Sequence, residues 1–427
     1  MGARHVQVII KLSGLLEGEG LKSALFRFLT DSLAFIMLSL SIVLPFISVL
    51  LAGSFATPAA NAVPHRVILA KRATCTPQSL GDDQQDDTPA IKAAITSCGN
   101  GGTVVLPAGT TYSLRSILSF SGCNNCDFQL EGTLKASDDT TYWASQTAMI
   151  YIDGVSGATL RSVTGSGVFD GNGQTSYDEF AKNSSLVRPT AIYIVGGSDI
   201  TVTGITMINP PNVFISQKGA SQNVNYASLT MTASSKSTNA PKNTDGFDVG
   251  ESTYTTIKSV YISNQDDCVA FKSGCNYVTV DGITCAGSSH GLSVGSLGET
   301  NADIVRNVYV TDATMTGCSK AAGIKLYPGG SDHGTAAVSN ITWDGVTMSD
   351  CDYGAQIQSC YGATADECAA NPSAATLSEI YFKNFKGTTS THYEPTVSNL
   401  DCPADGTCDV IFVNWDVNPP SGTAVNL

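Results

Sequence analysis

From about residue 148 onward, short runs of β-branched and aromatic residues alternate with polar or glycine-rich turns. Examples are SDITVTGITMINP, STYTTIKSVYISNQDD, NYVTVDGITCAG, ADIVRNVYVTDATMTG, AAVSNITWDGVTMSD and ATLSEIYFKNFKG. Apolar and polar residues alternate with a period of two, which predicts strands with one buried face. No amphipathic helical pattern of useful length separates the runs, so a sheet of β-α-β units is not expected.

A shorter phrase recurs between these runs and supplies a second strand to each repeat. It reads DGFDV, DCVAF, HGLSV, AGIKL and YGAQI, and begins at Asp245, Asp267, His290, Ala322 and Tyr353. Repeats of about 20 to 50 residues without helices predict a solenoid of parallel strands. The predicted fold is therefore all-β: a single right-handed parallel β-helix with short coils and a cleft on one face. A β-sandwich is the alternative, but its strands would not keep two alternating phrases in order.

The stacking of coils predicts which side chains share a column. Equivalent positions on neighbouring coils should lie about 4.8 Å apart. Two apolar columns would fill the interior: Phe247, Val269, Leu292, Ile324, Ala355, and then Val249, Phe271, Val294, Leu326, Ile357. The column between them would face outward: Asp248, Ala270, Ser293, Lys325, Gln356.

Two adjacent aspartates, Asp266 and Asp267, do not fit this regular pattern. A strand would point their side chains to opposite faces, and strict alternation would turn Asp267 inward. We expect a bend at the second position of the phrase, which is occupied by Gly246, Cys268 and Gly291. Such a bend would break the alternation and let both carboxylates reach one cleft.

The first 72 residues differ from the rest of the chain. An apolar run at residues 33–52 precedes the small residues SFATPAANA, which predicts a secretory signal with cleavage near Ala56 or Ala62. A signal anchor is the alternative, since the run is long enough to cross a bilayer. The pair Lys71-Arg72 resembles a dibasic processing site. We therefore expect residues 1–72 to be a signal and propeptide region outside the fold, and residues 73–427 to form one β-helix domain.

Composition narrows the class of protein. The net charge of −14 argues against a nucleic-acid partner, because phosphate binding needs a basic face. An acidic substrate would have to be met by a few local cations. We expect a secreted, extracellular monomer with no membrane attachment in its mature form. Sequons at Asn183 and Asn340 are compatible with secretion and N-glycosylation.

Thirteen cysteines indicate an oxidising compartment. Short spacings predict local bridges at Cys75–Cys98, Cys268–Cys285, Cys360–Cys368 and Cys402–Cys408. Cys123 and Cys126 are too close in sequence to assign, and the odd total leaves at least one free thiol. Neither paired CxxC motifs nor a histidine cluster indicates a metal, so we expect no metal and no cofactor.

The aspartates and the histidine of adjacent coils carry the candidate chemistry. Glycoside hydrolysis needs one protonated carboxyl for the leaving oxygen and one ionised carboxylate to activate water or attack. Crowded carboxylates separate these two roles, because like charges raise one pKa. Asp245, Asp266, Asp267 and His290 are the candidate catalytic residues. Any one of these aspartates could instead simply shape a turn, but that explanation does not account for their equivalent positions on consecutive coils.

Four ordered segments, NTDGFDV, NQDDCVAFKSG, SHGLSVGSLG and GIKLYPGG, resemble the motifs of glycoside hydrolase family 28, the polygalacturonase family. The resemblance covers roughly residues 75–420 and implies metal-free hydrolysis of α-1,4-galacturonosyl bonds in plant cell-wall pectin, with inversion. It implies that Asp266 is the general acid, that Asp245 and Asp267 activate water, and that His290 tunes the acid. For substrate binding it implies roles for three further residues: Lys325, Tyr361 and Asn243. The adjacent-coil spacing of about 4.8 Å is closer to the retaining geometry than to the inverting one.

One departure from the family pattern concerns substrate choice. Polygalacturonases read Arg-Ile-Lys where this chain has Gly323-Ile324-Lys325. Without this arginine, the protein loses a bidentate contact to a galacturonate carboxylate. Lys272 and Arg188 are candidate substitutes for that cation. The absence of the arginine side chain should also widen the cleft. The leading expectation is an endo-acting xylogalacturonan hydrolase, with an exo- or endo-polygalacturonase as the alternative. Rivals from other classes are a calcium-dependent pectate-lyase-like eliminase and a non-catalytic polysaccharide-binding β-helix.

Overall fold

The structure of the protein is a computed structural model, and it describes residues 6–9 and 72–422. The strands of this part of the chain are β1 Val6–Ile9, β2 Thr74–Cys75, β3 Thr103–Leu106, β4 Thr111–Leu114, β5 Leu118–Ser119, β6 Asp127–Leu130, β7 Thr133–Ala136, β8 Ala148–Asp153, β9 Thr159–Arg161, β10 Val168–Asp170, β11 Thr190–Val195, β12 Ser198–Thr203, β13 Thr206–Ile208, β14 Ile215–Lys218, β15 Ser221–Ala227, β16 Thr230–Thr232, β17 Phe247–Val249, β18 Ser252–Asn264, β19 Asp267–Phe271, β20 Cys275–Gly287, β21 Gly291–Leu297, β22 Ala302–Thr316, β23 Lys320–Leu326, β24 Thr335–Cys351, β25 Tyr353–Gln358, β26 Thr376–Thr389, β27 Ser398–Leu400 and β28 Thr407–Asn418. The helices are α1 Thr88–Cys98, α2 Thr140–Trp143, α3 Gln174–Phe180 and α4 Ala365–Ala370.

The strands form two parallel sheets that wind around a common core. Ten strands, β5, β8, β11, β14, β17, β19, β21, β23, β25 and β27, form what we call the narrow sheet. The other eighteen form the wide sheet. From β17 to β28 the chain alternates strictly between the two sheets, and every strand pairs in parallel with the equivalent strand of the next coil. This is the predicted right-handed parallel β-helix.

The long strands of the wide sheet bend at two columns of residues with left-handed backbone conformation. The first column is Asn223, Tyr254, Tyr277, Asn307, Asn340 and Glu379, and the second includes Ser228, Ser259, Asp312, Asn384 and Asn414. Positive φ costs least for glycine and asparagine, and asparagine recurs in both columns. Neighbouring asparagines also bond along the stack: Nδ2 of Asn340 donates to Oδ1 of Asn307 at 2.8 Å. Each long strand can therefore wrap around the core without a break in pairing.

The interior is filled by apolar columns, as predicted. Trp343, Phe382 and Phe412 stack on consecutive coils with ring centroids 4.9 and 5.0 Å apart. Burial of each such side chain stabilises the fold by about 1.5–3 kcal/mol. The coils stay in register along the whole solenoid because the core leaves no space for a shifted side chain.

The predicted columns are correct for three coils and wrong for the fourth. Leu292 lies opposite Ala322, and Val294 lies opposite Ile324, so the phrase beginning at Ala322 is displaced by two residues from its expected position. Lys325 is consequently opposite Gly295, and Gly323 stands in the outward column beside Ser293. The cause is that apolar residues occupy every second position over residues 322–326, so this stretch fits two registers that differ by two residues.

Helix α1 covers the N-terminal end of the solenoid. It buries Ile91, Ala94, Ile95 and Cys98, and it contacts β2, β3, β4 and β5. Solenoids need such a cap, because their last coil would otherwise expose its core. The bridge Cys75–Cys98 ties this helix to β2.

Six disulfides are present in the described part of the chain. The four expected bridges are confirmed. The other two are Cys123–Cys126 and Cys318–Cys351, and Cys275 is a buried free thiol.

The expected signal run at residues 33–52 and the processing site at Lys71 lie outside the described residues. The short strand β1 precedes them and pairs in parallel with β28. None of the helices within residues 72–422 has the length and hydrophobicity needed to cross a bilayer. The boundary between leader and domain stays a prediction.

Candidate active site

A β-bulge in the narrow sheet brings the two adjacent aspartates into one site. Strand β19 pairs with β21 through Asp267 and Gly291, but the next paired residues are Val269 and Leu292. Cys268 is therefore an extra residue on its strand. As a result, the amide nitrogen of His290 donates to the carbonyl of Asp266, at 2.9 Å. Of the column at which a bend is expected, Cys268 carries the bulge, and it places His290 opposite Asp266.

Asp266 is held by three donors. Nδ1 of His290 lies 3.0 Å from Oδ1, which also accepts from the amide of Asp267 at 2.9 Å. Nδ2 of Asn243 donates to Oδ2 at 3.3 Å. Burial would raise the pKa of Asp266, but the hydrogen bond and charge of His290, the charge of Lys325 and the Asp267 amide together outweigh it and lower that pKa to about 2. This carboxyl is thus ionised and paired with its histidine.

Asp267 and Lys325 form a buried ion pair at the base of the site. Nζ of Lys325 lies 2.6 Å from Oδ2 of Asp267, and Oγ of Ser293 donates to Oδ1 at 2.7 Å. Burial lowers the pKa of Lys325, whereas the charge and hydrogen bond of Asp267 raise it, and the net shift is upward. Lys325 is therefore charged. Lys325, which the family resemblance assigns to a substrate carboxylate, here contacts a carboxylate of its own chain.

A second pair of carboxyls lies beside the first. Asp245 is buried, and both burial and the charges of Asp248, Asp266 and Asp267 raise its pKa well above the ordinary value. Burial also raises the pKa of Asp248 against the lowering effect of Lys272, whose Nζ lies 3.7 Å from Oδ1. The site consequently contains carboxyls of two kinds, one that keeps its proton and one that loses it.

Asn243 is oriented by a buried arginine. Nη2 of Arg188 donates to Oδ1 of Asn243 at 2.7 Å, and Nη1 donates to the carbonyls of Pro211 and Lys242, both at 2.8 Å. The guanidinium also stacks on Phe180, 3.6 Å from the ring centroid. Three of the five N–H groups of Arg188 are used in these bonds, so its guanidinium is committed to holding Asn243 in place. Lys272, the other suggested substitute, faces a carboxylate of its own chain, Asp248.

These residues line two neighbouring cavities. The first, which we call the acidic cavity, has a volume of about 520 Å³ and is lined by the aspartates together with Asn243, Arg188 and Lys272. The second, the lysine cavity, has about 230 Å³ and is lined by His290 and Lys320. Lys325 and Tyr361 line both. All seven predicted site residues therefore lie at one or both cavities.

Lys320 is the site residue that the sequence analysis missed. It is buried, at 3% exposure, and it lines the lysine cavity. A Cβ added at Gly323 would lie only 2.8 Å from Cδ of Lys320 and 2.4 Å from the carbonyl oxygen of Gln356. The expectation that the missing arginine simply widens the cleft is wrong at this point, because the Lys320 side chain crosses the space above Gly323.

Lys320 has an unusual electrostatic state. Burial lowers its pKa to about 8, and the charge of Asp267 only partly offsets this. Among the described residues, no carboxylate lies within 4.0 Å of its Nζ. The lysine cavity thus offers a positive charge that its own chain leaves unpaired.

The geometry would also allow a metal ion at one point. Asp266, Asp267 and His290 each offer one ligand atom, and these atoms lie within 4.8 Å of one another. In this structure the same atoms bond to each other and to Lys325 and Ser293. The arrangement already satisfies these groups as acids, bases and hydrogen-bond partners.

A parallel β-helix with clustered carboxyls of unequal pKa in an open cleft defines a polysaccharide hydrolase. The chain belongs to glycosyl hydrolases family 28, whose family model matches residues 98–424. The expected family is confirmed.

Individual relatives narrow the similarity further. Endo-xylogalacturonan hydrolase A from Aspergillus tubingensis is 56% identical over 351 residues, which is 82% of this chain and 86% of that protein. The crystal structure of the A. tubingensis enzyme covers 83% of this chain and 95% of its own, with a TM-score of 0.82. A polygalacturonase from Erwinia carotovora shares the fold at 21% identity, with a TM-score of 0.60 over 82% of this chain and 97% of its own.

Proposed function

We propose that this protein is an endo-acting xylogalacturonan hydrolase that cleaves α-1,4-galacturonosyl bonds in xylose-bearing pectin. The observation that carries the proposal is the 56% identity to an endo-xylogalacturonan hydrolase over most of both chains. The glycine at position 323, which departs from the polygalacturonase pattern, supports the same subtype. We also infer a secreted protein that acts as a monomer without membrane attachment. The six disulfides support secretion.

We assign proton donation to Asp266 and water activation to Asp245 and Asp267. Because burial and neighbouring charges raise the pKa of Asp245, that carboxyl must lose its proton before it can act as a base. The donor protonates the glycosidic oxygen as its bond to the anomeric carbon breaks, and the base removes a proton from the attacking water. The free carboxyl of Asp266 has a pKa of about 2 and carries no proton at neutral pH. It must therefore gain one when substrate binds.

The source of that proton is the contact with His290. Nδ1 of His290 lies 3.0 Å from Oδ1 of Asp266, close enough for a proton carried by the imidazole to pass directly to the carboxyl. An anionic substrate adds negative charge beside Asp266 and raises its pKa, because like charges favour the neutral form. Substrate binding thereby shifts the shared proton toward the carboxyl that needs it.

The stereochemical outcome needs its own measurement. Oxygen atoms of Asp266 and Asp267 lie within 4.8 Å of each other, a spacing closer to the retaining than to the inverting geometry. The family resemblance implies inversion, with Asp245 in a position to share the base role. Proton NMR of the first-formed reducing end distinguishes the two: the β anomer indicates inversion and the α anomer retention.

We infer that Lys320 supplies the cation that polygalacturonases supply from position 323. Lys320 lines the lysine cavity together with His290 and Lys325, and no carboxylate of the described residues pairs with its ammonium. A lysine binds a carboxylate as a point charge, whereas an arginine fixes it in a bidentate plane. Less orientational restraint on the galacturonate would leave more freedom for a xylose substituent.

The test is a product profile of the purified protein on polygalacturonate, xylogalacturonan and rhamnogalacturonan, with and without a chelator. The proposal expects new reducing ends, mainly internal cuts, on xylogalacturonan, and unchanged rates under chelation. Ultraviolet-absorbing unsaturated ends that require calcium would indicate elimination. Absence of new reducing ends on all three polymers would remove the enzyme assignment. Cleavage of polygalacturonate alone would overturn the subtype.

A further inference from the structure

Two tyrosines occupy an unusual backbone position on the wide sheet. Tyr254 and Tyr277 belong to the first left-handed column, with φ of 63° and 55°. Their rings stack with centroids 5.1 Å apart and planes 14° from parallel, and their side chains are exposed. Elsewhere in this column, Asn223, Asn307 and Asn340 adopt the same left-handed backbone conformation.

Tyrosine is a poor choice for this conformation. Left-handed backbone is uncommon for a bulky side chain, whereas asparagine adopts it readily. Residues held in such conformations concentrate at functional sites, so the outlier is a reason to look for a function. A stacked, solvent-facing aromatic pair has no role in the core. The exposure of the two stacked rings is therefore the feature that needs a functional explanation.

The two rings form one wall of a groove of about 450 Å³. The remaining lining consists of Tyr309 and of threonine, asparagine and valine side chains from neighbouring coils. None of the lining residues is charged, although the chain carries a net charge of −14. This composition suits a neutral sugar, whose C–H face packs on aromatic rings and whose hydroxyls bond to polar side chains. It does not suit an anionic galacturonate.

A glycosylation acceptor lies in the same groove. Asn340, Ile341 and Thr342 form an Asn-X-Thr sequon, and both Asn340 and Thr342 are among the lining residues. Asn340 is exposed and stands in the same column as Tyr277, with only Asn307 between them. Two strand spacings, about 10 Å, therefore separate the attachment point from the nearer ring. The inner sugars of a linked glycan span that distance.

We propose that Asn340 carries an N-linked glycan whose inner sugars lie on Tyr254 and Tyr277. The glycan comes from a lipid-linked oligosaccharide diphosphate: Nδ2 of Asn340 forms the bond to the anomeric carbon, the carbon–oxygen bond to the diphosphate breaks, and one amide proton leaves with the diphosphate. The second amide hydrogen remains for the bond to Asn307. Because the sugar is tethered, its effective concentration at the groove is high, and modest stacking is sufficient to hold it.

A second sequon provides the internal control. Asn183 is exposed in the loop after α3, where its Oδ1 accepts from the amide of Ser185 at 3.1 Å. Its neighbour Ser184 lines the acidic cavity, far along the chain from the tyrosine groove. Asn183 does not line the groove that contains Tyr254 and Tyr277, so a glycan at Asn183 is not expected to pack on these rings. It reports the release rate of an unprotected glycan on the same folded protein.

The experiment uses the full chain secreted by a glycosylating yeast. Glycopeptide mass spectrometry measures occupancy, and an endoglycosidase that cuts within the inner sugars is applied to the folded protein. We expect Asn340 to be occupied and its glycan to be released about tenfold more slowly than after unfolding. Release at Asn183 should be fast in both states. A bare Asn340 overturns the proposal, and so does release from the folded protein as fast as from the unfolded one.

Matched variants test the tyrosines directly. Tyr254→Asn with Tyr277→Asn places in each position the residue that the column already accepts, so the fold should be at least as stable. This double variant should lose the protection at Asn340 and leave Asn183 unchanged. Tyr254→Phe with Tyr277→Phe keeps the rings and should keep the protection. Protection that survives the asparagine variants overturns the proposal. Binding of free xylo-oligosaccharides by a groove with a bare Asn340 would assign it to an external sugar instead.

Discussion

Nζ of Lys325 lies 2.6 Å from Oδ2 of Asp267, and both side chains are buried. This ion pair joins β23 to β19 across the intervening strand β21. A lysine placed in this way holds a catalytic carboxylate in position and keeps a positive charge at the boundary of the two cavities. Its role in the fold is measured by the free energy of unfolding, and its role at the cleft by the kinetics on substrate.

Lys325→Met should destabilise the protein by about 3–5 kcal/mol, because it leaves Asp267 buried without its partner. Urea denaturation at pH 7 measures this change. Lys325→Arg keeps the charge and should recover part of the stability. An unfolding free energy equal to that of the parent protein would contradict the structural role of the pair.

Asp266→Asn should reduce kcat on xylogalacturonan by about 10²–10⁴-fold, because an amide cannot donate the proton. The loss should shrink on an aryl oligogalacturonide whose leaving group needs no protonation. Asp281→Asn, which removes a surface carboxylate paired with Lys258, is the control and should leave kcat unchanged. Equal losses on both substrates would reject Asp266 as the acid.

The contact between His290 and Asp266 also predicts a pH dependence of stability. The pKa of Asp266 is about 2 in the folded protein and 3.8 ordinarily, so this carboxylate stabilises the fold above pH 3.8. That contribution is lost as the pH falls through 2. His290→Gln should lower the unfolding free energy at pH 6 by up to about 2 kcal/mol, because Lys325 and the Asp267 amide share in the pKa shift, and should converge with the parent protein near pH 2. A difference that is constant with pH would show that His290 acts through packing alone.

Lys320→Met should weaken substrate binding while stabilising the fold. Loss of a charge-assisted contact of about 1.5–3 kcal/mol should raise KM on xylogalacturonan about 10–100-fold. The folded pKa of about 8 lies below the ordinary 10.5, so burial of this ammonium destabilises the protein below pH 8. That cost disappears as the pH rises from 8 to 10.5. The variant should therefore unfold at higher urea than the parent protein at pH 7, and an unchanged KM would remove Lys320 from the binding site.

Gly323→Arg should not convert the protein into a polygalacturonase. Its Cβ would meet the Gln356 carbonyl oxygen at 2.4 Å, and backbone atoms of a paired strand cannot yield without a loss of sheet pairing. We expect lower stability and no gain on unbranched polygalacturonate relative to xylogalacturonan. Thermal denaturation and the ratio of kcat/KM on the two polymers check these outcomes. An improved ratio at unchanged stability would show that the strand can accommodate the side chain.

The sequence predicted the solenoid because its two phrases alternate with the period of a coil. It also predicted which aspartates meet, because Asp245 and Asp267 head consecutive phrases. It failed at the coil of Lys325, because the alternation over residues 322–326 fits two registers that differ by two residues. Lys320 gave no local signal, because its position depends on the missing Cβ of Gly323 and on the burial of the whole strand. The ion pair of Lys325 with Asp267 likewise depends on the true register.

A stack of identical coils offers no reason for one rung to differ from another. The extra residue at Cys268 removes that equivalence between β19 and β21. Below it, Asp245 and Asp267 occupy matching places, and above it the histidine moves opposite the preceding aspartate. The catalytic groups are thereby brought together beside this one bulge. The other coils can differ in length without disturbing them, and can shape how a long polymer passes along the surface.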